Sequence, residues 1–510
     1  MKQIVAAAGA LALAAAALER PLAAPAPCAS LASLALPNVT ITLAQSIDAG
    51  AFEPASPPPV QPGATSRLQI ARAFCRVAAT LRPSIDSAIR VEVWLPTTNW
   101  NQKFQAVGNG AFNGTIAYPA MATALARGYA TASTDTGHAG ASASFALGHP
   151  EKVVDFGWRA VHEMTVVSKH IVRAYYGDAP RLSYWNGCSA GGRQGMKEAQ
   201  RFPADYDGII AGAPGHDWTG RAAQAIDVAS HLQRHEQARL SPPHIQLVHA
   251  AVLNACDGLD GVKDGVVGDP RQCRFDAGAL GCKGNDEASC LRPAQVDTVR
   301  RLYAAREHPK TKRSIAGLFP GSELGWTDMG WSASARSTGL DQFRFIVFQD
   351  PTWAIDRFSF PIDLVRADEV DEGTINALEP NLQPFVARGG KLIQYHGWSD
   401  PQISPGNSVD YYERAVAALG GPSKADGSYR LFMAPGMGHC GGGNGPNSFD
   451  MVTALEQWVE SGQAPDRIVA SRSTRGVVDR TRPLCPFPQV AVHTGSGSTD
   501  EAANFVCKAP

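Results

Sequence analysis

Three features that would place a chain in a common functional class are missing from this sequence. It has no surplus of cations, because 46 Lys and Arg residues face 47 Asp and Glu residues and leave a net charge of −1. A nucleic-acid-binding protein displaces phosphate counterions with cations, so no nucleic-acid partner is expected. Beyond the N-terminus no apolar run reaches the roughly 18 residues that span a bilayer, which argues against an integral membrane protein. None of the 10 cysteines forms a CxxC pair, so zinc or thioredoxin-like chemistry has weak support.

The first 27 residues have the pattern of a secretory signal peptide. Lys2 supplies a positive start, Ile4 to Leu18 form an apolar run of suitable length, and small residues around Ala23 to Ala26 offer a cleavage site. The alternative, an Ala-rich helix of the mature protein, is disfavoured by the prolines that end the pattern. The sequence therefore predicts a signal peptide over residues 1–27 and a secreted or periplasmic protein.

An exported chain meets an oxidising compartment, where an even number of cysteines usually indicates disulfides. Three pairs lie close enough in sequence to close short loops, namely Cys256 with Cys273, Cys282 with Cys290, and Cys485 with Cys507. The remaining cysteines are Cys28, Cys75, Cys188 and Cys440. Ten cysteines allow far too many pairings for counting alone to choose among them.

Short β-like runs alternate with helical patterns over residues 90–215, and the alternation resumes near residue 392. Such alternation, with turn signals between the elements, predicts a mainly parallel sheet covered by helices on both faces. The predicted strands are Ile89–Leu95, Phe104–Val107, Tyr129–Ser133, Leu182–Trp185, Gly208–Ala211, Leu392–Tyr395 and Tyr429–Met433. The predicted helices are Asp155–Tyr176, Arg193–Phe202, Val409–Leu419 and Met451–Ser461.

The stretch from residue 216 to residue 377 interrupts this alternation. It holds closely spaced cysteines, a glycine–aspartate loop and an aromatic segment, in which eight of the 35 residues from Trp326 to Phe360 are aromatic against 8% of the whole chain. A structureless loop of that length is improbable inside a compact domain. We therefore predict an insertion with its own hydrophobic core, and the aromatic segment serves either that core or an acyl pocket.

The strongest chemical signal is the run Gly-Cys-Ser-Ala-Gly at residues 187–191. It follows a predicted strand and precedes a predicted helix, which is the context of a nucleophile elbow. The glycines permit a tight turn that exposes the Ser189 hydroxyl, and the helix N-terminus directs N–H groups toward developing negative charge. We predict that Ser189 is the nucleophile of a serine hydrolase.

A nucleophilic serine needs a base and an acid that orients the base, and in this fold class both follow later strands in the order Ser, Asp, His. Asp400 and His439 follow two predicted strands in that order. Cys188 precedes Ser189 and Cys440 follows His439, so a disulfide between them would hold the nucleophile beside the base. The alternatives are two unrelated buried cysteines, or Cys188 as a thiolate nucleophile, which oxidation would consume.

These residues resemble the tannase and feruloyl esterase family of secreted serine hydrolases, in which a disulfide joins the neighbours of the catalytic Ser and His. The resemblance rests on Cys188-Ser189, Asp400 and His439-Cys440, and it extends to Val107–Gly114, Ser133–His138 and Gly436–Cys440. It implies an α/β-hydrolase catalytic domain at residues 28–215 and 378–510, with a large lid domain inserted at 216–377. It also implies the disulfides Cys28/Cys75, Cys188/Cys440, Cys256/Cys273, Cys282/Cys290 and Cys485/Cys507. Esterases that hydrolyse a terephthalate half-ester are similar too.

The predicted lid carries a loop of aspartates and glycines between Cys256 and Asp269. Carboxylates at such spacing suit a hard cation with about 6–8 oxygen ligands, although Gly268 stands where an EF-hand would have its bidentate Glu. By the resemblance, a structural calcium ion would bind the side chains of Asp257, Asp260 and Asp264 and the carbonyl groups of Val262 and Val266. We expect this loop to be remote from the chemistry, and the alternative is a polar turn without an ion.

An oxyanion hole needs two backbone N–H groups, and one comes from the residue after the nucleophile, which is Ala190. Gly110, in the loop after an early predicted strand, is the second candidate, with a plain turn as the alternative. His396 lies four residues before Asp400. We assign His396 to the substrate pocket, with a scaffold role as the alternative.

These observations predict a secreted serine carboxylesterase that cleaves esters of aromatic acids through an acyl-enzyme. The substrate would be a small aromatic ester, free or attached to plant polysaccharide or polyphenol: a feruloyl ester, with a gallate ester or a terephthalate half-ester as alternatives. Ala190 offers no charged group to a substrate carboxylate, which weakens the half-ester alternative. A different class remains open, a calcium-dependent carbohydrate-binding protein on an inactive hydrolase scaffold with a misplaced triad residue.

Overall fold

The computed structural model describes residues 24–54, 67–283, 289–328 and 338–509. Most of the predicted signal peptide, up to residue 23, lies outside the described residues, and so does Trp331 of the aromatic segment. None of the helices in the described residues is long and apolar enough to cross a bilayer.

The described residues form 17 strands, which hydrogen-bond into one sheet of nine strands and four sheets of two strands. The strands are β1 (Val39–Ile47), β2 (Gly50–Phe52), β3 (Leu68–Ile70), β4 (Phe74–Leu81), β5 (Ile89–Pro96), β6 (Lys103–Val107), β7 (Ala130–Thr134), β8 (Leu182–Cys188), β9 (Gly208–Gly212), β10 (Arg306–Glu307), β11 (Ser314–Ile315), β12 (Lys391–Gly397), β13 (Tyr429–Ala434), β14 (Ile468–Thr474), β15 (Val477–Leu484), β16 (Val490–His493) and β17 (Phe505–Lys508).

One mixed sheet of nine strands dominates the molecule, in the order β1-β4-β5-β7-β6-β8-β9-β12-β13. The first three pairings, from β1 to β7, are antiparallel, and every later pairing is parallel. Every residue of β7 and of β9 is buried, as expected for inner strands that are covered on both faces. The parallel half of the sheet therefore brings the carboxyl ends of β6, β8, β9, β12 and β13 to one edge.

The described residues form 13 α-helices. They are α1 (Tyr118–Ala126), α2 (Pro150–Val154), α3 (Ala160–Tyr176), α4 (Ala190–Arg201), α5 (Trp218–Arg234), α6 (Pro242–Cys256), α7 (Pro293–Tyr303), α8 (Thr338–Asp341), α9 (Phe360–Asp371), α10 (Gln383–Ala387), α11 (Pro405–Ala418), α12 (Pro422–Ala425) and α13 (Met451–Ser461). One hydrophobic cluster joins α3 and α11 to the sheet through Ile209, and another joins α13 through Ile210. Because successive strand residues point to opposite faces, these two clusters lie on the two sides of the sheet.

Each strand and helix predicted from the sequence is present, with ends that differ by a few residues. The α/β architecture is confirmed. Two antiparallel strands, β1 and β4, were not predicted, and they extend the sheet beyond its parallel half. A π-helical segment at Asp155–Arg159 runs directly into α3, so the predicted helix from Asp155 is continuous but irregular at its start.

The stretch between β9 and β12 contributes no strand to the large sheet. It contains α5 to α9 and two hydrophobic clusters formed from its own residues, one around Val248 and Val299 and one around Phe343 and Leu364. At the predicted ends of the insertion, the N–H of Ala377 donates to the carbonyl of His216 at 2.8 Å. The stretch therefore leaves and rejoins the sheet domain at one place.

Candidate active site

Ser189 occupies the turn between the end of β8 at Cys188 and the start of α4 at Ala190. Its φ of 63° lies in the left-handed region that non-glycine residues rarely adopt, so the turn stores backbone strain. The neighbouring glycines make the turn possible, since a Cβ on Gly187 would stand 2.6 Å from the carbonyl carbon of Gly191. The turn therefore presents the serine hydroxyl at the carboxyl edge of the sheet, as a nucleophile elbow does.

The side chains of Ser189, His439 and Asp400 form one hydrogen-bonded chain. Ser189 Oγ lies 2.9 Å from Nε2 of His439, and Nδ1 of His439 lies 2.7 Å from Oδ2 of Asp400. Because the carboxylate accepts at Nδ1, that nitrogen carries the proton of the neutral ring, and Nε2 is free to accept the hydroxyl proton. The three residues singled out in the sequence thus have the geometry of a base-activated nucleophile.

Asp400 is fully buried, and its hydrogen bonds keep it ionised. Its Oδ1 accepts the N–H groups of Gln402 at 2.8 Å and Ile403 at 3.0 Å, and its Oδ2 faces His396 and His439. Burial by itself raises the pKa of Asp400, but attraction to His439 and the hydrogen bonds from both histidines outweigh burial and hold the pKa well below its usual value. The group that orients His439 is therefore an anion at neutral pH.

His396 does not line the substrate pocket, which corrects the assignment made from the sequence. It is fully buried behind Asp400, with Nε2 at 3.0 Å from Oδ2 of Asp400 and 3.1 Å from the carbonyl oxygen of Ile403. Both of these neighbours accept, so Nε2 carries the proton, and Nδ1 accepts from the hydroxyl of Ser408 at 2.7 Å. His396 is a positioning residue that donates to the same oxygen of Asp400 as His439 does.

Cys188 and Cys440 form a disulfide that joins positions 252 residues apart in sequence, with Cα atoms 6.0 Å apart. Since these cysteines adjoin Ser189 and His439, the bond ties the nucleophile turn to the loop of the base. The other disulfides are Cys28/Cys75, Cys256/Cys273, Cys282/Cys290 and Cys485/Cys507. These are the five pairings that the family resemblance implies, and they leave no free cysteine in the described residues.

Gly110 lies in the loop after β6, and this loop is held against the start of α4. The carbonyl of Asn109 accepts the N–H of Gly191 at 2.8 Å, and the N–H of Asn109 donates to Oε1 of Gln194 at 3.1 Å. Ala190 lies in the first turn of α4, where N–H groups lack intrahelical acceptors. Within the described residues the N–H of Gly110 has no backbone acceptor either. Neither predicted oxyanion donor therefore has a backbone acceptor within the described residues.

A cavity of about 310 Å³ opens beside His439. Its wall combines the backbone of glycine-rich loops with the side chains of His249, Leu253, Leu324 and Gln402. None of the described residues in this wall is Lys, Arg, Asp or Glu. The volume is near the lower end of the range for small-molecule sites, and Ser189, Ala190 and Gly110 are not among the residues of this wall.

Comparison with known proteins assigns the chain to a family. The sequence model of the family described as tannase and feruloyl esterase matches residues 75–508. An uncharacterized esterase of Xanthomonas campestris pv. campestris is 38% identical over 94% of this chain and 91% of its own length. A probable feruloyl esterase B-2 of Neosartorya fischeri is 32% identical over 98% of each chain. This chain belongs to the tannase and feruloyl esterase family.

Solved structures of this family share the fold. Feruloyl esterase B from Aspergillus oryzae is 30% identical, with a TM-score of 0.88 over 94% of this chain and 99% of its own. A tannin acyl hydrolase from Aspergillus niger, 21% identical with a TM-score of 0.76 over 96% of this chain and 97% of its own, shows the same fold. The predicted α/β-hydrolase fold and the predicted carboxylesterase class are therefore confirmed. The carbohydrate-binding alternative is wrong, because it required an inactive scaffold with a misplaced triad residue.

The aromatic segment of this esterase mainly builds the lid's own core. Trp326 packs in one lid cluster. A second cluster contains Phe343, Trp353, Phe358 and Phe360, with Phe348 packed against it. Phe345 is the exception, since it packs against a cluster that includes Ala190. The described aromatic residues therefore favour the interpretation that the segment builds the core of the lid. Phe345 alone among them packs against the cluster that contains Ala190.

The aspartate loop expected to bind calcium has an unsatisfied oxygen. Oδ1 of Asp264 is buried and has no hydrogen-bond partner, whereas Oδ2 faces Arg480 at 3.3 Å and also Arg482. Burial raises the pKa of Asp260 to about 6, and the neighbouring Asp264 adds to this effect. Oδ1 of Asp257 accepts three successive N–H groups of the loop. A free buried oxygen among crowded carboxylates fits an oxygen-seeking divalent cation.

This loop is not remote from the chemistry, contrary to the expectation from the sequence. Gly265, Val266 and Val267 line the same cavity as His439. Val266 also packs on the loop of the base, since a Cβ on Gly436 would stand 3.0 Å from Cγ1 of Val266. A displacement of the aspartate loop therefore changes the wall of the cavity.

Sequence reasoning missed the residues that support the catalytic groups from behind. Gln194 links α4 to the oxyanion loop. Its Oε1 accepts the backbone N–H of Asn109, and its Nε2 donates to Oδ1 of Asn109 at 3.2 Å. The signal was present, because Asn109 lies inside the Val107–Gly114 motif and Gln194 follows the elbow by one helical turn. What the sequence did not show is the contact between segments 85 residues apart.

Proposed function

We propose that this family member hydrolyses aromatic acid esters through an acyl-enzyme formed on Ser189. The observation that carries the proposal is the continuous chain from Ser189 Oγ through His439 to Asp400. His439 Nε2 takes the hydroxyl proton as Oγ attacks the ester carbonyl carbon, and the N–H groups of Gly110 and Ala190 stabilise the oxyanion.

Collapse of the tetrahedral intermediate breaks the bond to the alcohol oxygen, which leaves with the proton held on Nε2 of His439. Water then attacks the acyl-enzyme, again giving its proton to His439, and the second intermediate releases the acid and restores the Ser189 hydroxyl. Asp400 remains ionised throughout and stabilises the imidazolium that forms twice in each turnover.

We propose feruloyl esters as the preferred substrates, free or attached to plant polysaccharide. Two relatives carry feruloyl esterase names, and one of them also has a solved structure that covers 94% of this chain. The cavity beside His439 matches one aromatic ring in size, and its described wall offers no cation for a substrate carboxylate. A neutral hydroxycinnamoyl or galloyl ester suits such a wall better than a terephthalate half-ester, which carries a negative charge.

A substrate panel tests this proposal. Rates on methyl ferulate, methyl gallate and a mono-ester of terephthalate should fall in that order of kcat/KM for the purified enzyme. Ser189→Ala should lower kcat by about 10⁴-fold or more on every ester, since the nucleophile and base act as a unit. Wild-type rates in Ser189→Ala would remove the mechanism, while a preference for the half-ester would remove only the substrate assignment.

We also propose that the lid loop binds a structural calcium ion. Asp257, Asp260 and Asp264 would supply carboxylate oxygens, and Val262 and Val266 would supply carbonyl oxygens. Within the described residues the three carboxylates do not all approach within 4.8 Å of one another, so binding requires them to draw together. An ion there would neutralise these carboxylates, to which Arg480 and Arg482 already supply positive charge at Asp264.

Chelation gives a direct test of the calcium site. Removal of calcium should lower Tm and slow ester hydrolysis, because Val266 of this loop forms part of the cavity wall. Asp260→Asn should abolish the response of Tm to calcium. Asp276→Asn is the matched control, since Asp276 is an exposed lid aspartate that pairs with Arg300 outside the loop, and it should respond like the wild type. A wild-type protein whose Tm ignores both calcium and chelator would contradict the site.

Secretion, or export to a periplasm, is the proposed location. The N-terminal pattern and five disulfides support it. The N–H of Ala26 donates to the carbonyl of Tyr175 at 2.8 Å, so the described chain is attached to the fold from that residue on. Expression with and without residues 1–23, followed by fractionation and thiol counting, should give oxidised, active enzyme only with the leader.

A further inference from the structure

Three potential metal ligands meet on the side of α4 away from the nucleophile. His162 lies on α3, Glu198 lies on α4 and Asp205 follows α4. One ligand atom from each lies within 4.8 Å of the other two, and no other group of this kind occurs in the described residues. Glu198 is nine residues after Ser189, which is about 14 Å along a helix. The cluster is therefore separate from the esterase site.

Glu198 is the member of the cluster that lacks a donor. It is 1% exposed, and no N–H or hydroxyl group of the described residues donates to either carboxylate oxygen. Burial raises the pKa of Glu198 well above its usual value, and repulsion from Asp205 and a hydrogen bond between the two carboxyl groups add to this effect. The nearby Lys169 and Lys197 donate to backbone carbonyl groups instead of to this carboxylate. A buried carboxylate without such a donor is costly, so its position calls for a bound cation or for a proton shared with Asp205.

The other two ligands contact each other, and one of them is partly open to solvent. His162 Nδ1 lies 2.7 Å from Oδ2 of Asp205, and the His162 ring stacks on Phe202 with the ring centres 3.8 Å apart. The His162 side chain is 27% exposed, which gives an ion access from solvent. One imidazole and two carboxylates suit zinc and its neighbours in the first transition row better than calcium, which prefers oxygen ligands alone.

We propose that His162, Glu198 and Asp205 bind a divalent transition-metal ion, with zinc as the best match. The ion takes the place of the proton between His162 and Asp205 and satisfies the free oxygens of Glu198. Water fills the remaining coordination position on the exposed side of His162. Because its ligands come from both sides of the contact between α3 and α4, the ion fastens the nucleophile helix to its neighbour.

Zinc titration of the full-length oxidised enzyme tests the site. Excess calcium is present throughout, so that the lid loop does not compete for zinc. The wild type should bind one equivalent, and His162→Ala should weaken binding by about tenfold or more, since loss of even an outer partner of a metal ligand has an effect of that size. His149→Ala is the matched control: His149 is an exposed histidine 3.0 Å from Asp86 without a third ligand, and its loss should leave zinc binding unchanged.

Thermal unfolding supplies the second readout. Zinc should raise Tm of the wild type and of His149→Ala but not of His162→Ala, because a ligand that binds only the folded state stabilises it. Ester hydrolysis by each variant serves as the check on folding. Absence of saturable zinc binding, or binding that survives His162→Ala, would overturn the proposal. The proposal would also be overturned if zinc did not stabilise the wild type and Glu198→Gln were more stable than the wild type. Glu198 would then hold a proton instead of a metal.

Discussion

The sheet domain and the lid use their buried residues for different purposes. In the sheet domain, Ser189, Asp400 and His439 stand just beyond the ends of parallel strands, and buried hydrogen bonds hold each of them. In the lid, buried aromatic and aliphatic residues pack mainly with one another, and two disulfides close short loops. The first arrangement holds the three catalytic side chains in place, whereas the second supplies part of the wall of the cavity beside His439.

The nucleophile helix α4 is the joint between these two regions. The fully buried Arg193 of α4 donates to the carbonyl of Ile375 at 3.0 Å, and Lys197 donates to the carbonyl of Gly373 at 2.7 Å. Ile375 and Gly373 belong to the end of the insertion. Changes beside the catalytic triad are therefore expected to act on kcat, whereas changes in the lid should act on KM or on stability.

Removal of one disulfide from the sheet domain, compared with removal of one from the lid, should give the largest difference between the two regions. Cys188→Ser with Cys440→Ser should lower kcat/KM by about 100-fold or more, because small displacements of catalytic groups have effects of this size. Cys282→Ser with Cys290→Ser should lower Tm and leave kcat within about threefold, since this bond lies in the lid and neither cysteine lines the cavity beside His439. Initial rates on methyl ferulate and thermal unfolding of the same samples measure both effects. Equal losses of activity in the two variants would end the comparison.

Substitution of His396, the second histidine that contacts Asp400, should have the next largest effect on activity. His396→Gln should lower kcat by about tenfold with KM unchanged, because the carboxylate loses a hydrogen bond that fixes it but the cavity keeps its shape. Ser408→Ala removes only the partner of His396 and should have a smaller effect in the same direction. Steady-state kinetics of both variants decide the matter: a rise in KM for His396→Gln would return this residue to the pocket.

Substitutions of two valines should distinguish the cavity wall of the lid from its hydrophobic core. Val266→Ala enlarges the cavity beside His439 and should change KM about threefold with little loss of stability. Val299→Ala creates a void in a lid cluster and should reduce the free energy of unfolding by about 2 kcal/mol without changing KM. Denaturant titrations and Michaelis constants measured side by side would show whether wall and core are separate within the lid.

A buried carboxylate of the sheet domain should give the smallest effect, and one that depends on pH. Burial raises the pKa of Asp135 to about 7, against about 4 for an unfolded chain. Between pH 4 and pH 7, Asp135 is therefore protonated in the folded protein but ionised in the unfolded chain. The stability that this difference provides is complete below pH 4 and is lost as pH rises through 7. Asp135→Asn should be stabilised relative to the wild type by about 1 kcal/mol or more at pH 8 and little at pH 4. A gain independent of pH would contradict the assignment.

The sequence predicted the features that are encoded locally. The elbow around Ser189 depends on neighbouring glycines and on the strand and helix beside it, all of which are visible within a few residues. Asp400 and His439 followed from strand order, and Cys188 and Cys440 added a covalent reason to place them together. The strands β1 and β4 were missed because they precede the repeating strand–helix pattern and pair antiparallel at the sheet edge.

What the sequence did not predict depends on contacts over long distances. His396 was placed in the pocket because it lies near Asp400, yet the packing behind Asp400 buries it completely. The proximity of Val266 to Gly436 joins the lid to a loop 170 residues away, and no local pattern reports it. The ligand cluster at Glu198 likewise arises only when α3 and α4 pack together.

The hydrogen bond between Ala377 and His216 has a practical consequence for protein engineering. Because the insertion begins and ends at adjacent points, it can be cut out and replaced by the equivalent segment of a relative at just two junctions. Ser189, Asp400 and His439 lie outside both junctions. An enzyme with an exchanged lid would therefore keep these three residues, and its rates on different esters would measure what the lid contributes to substrate choice.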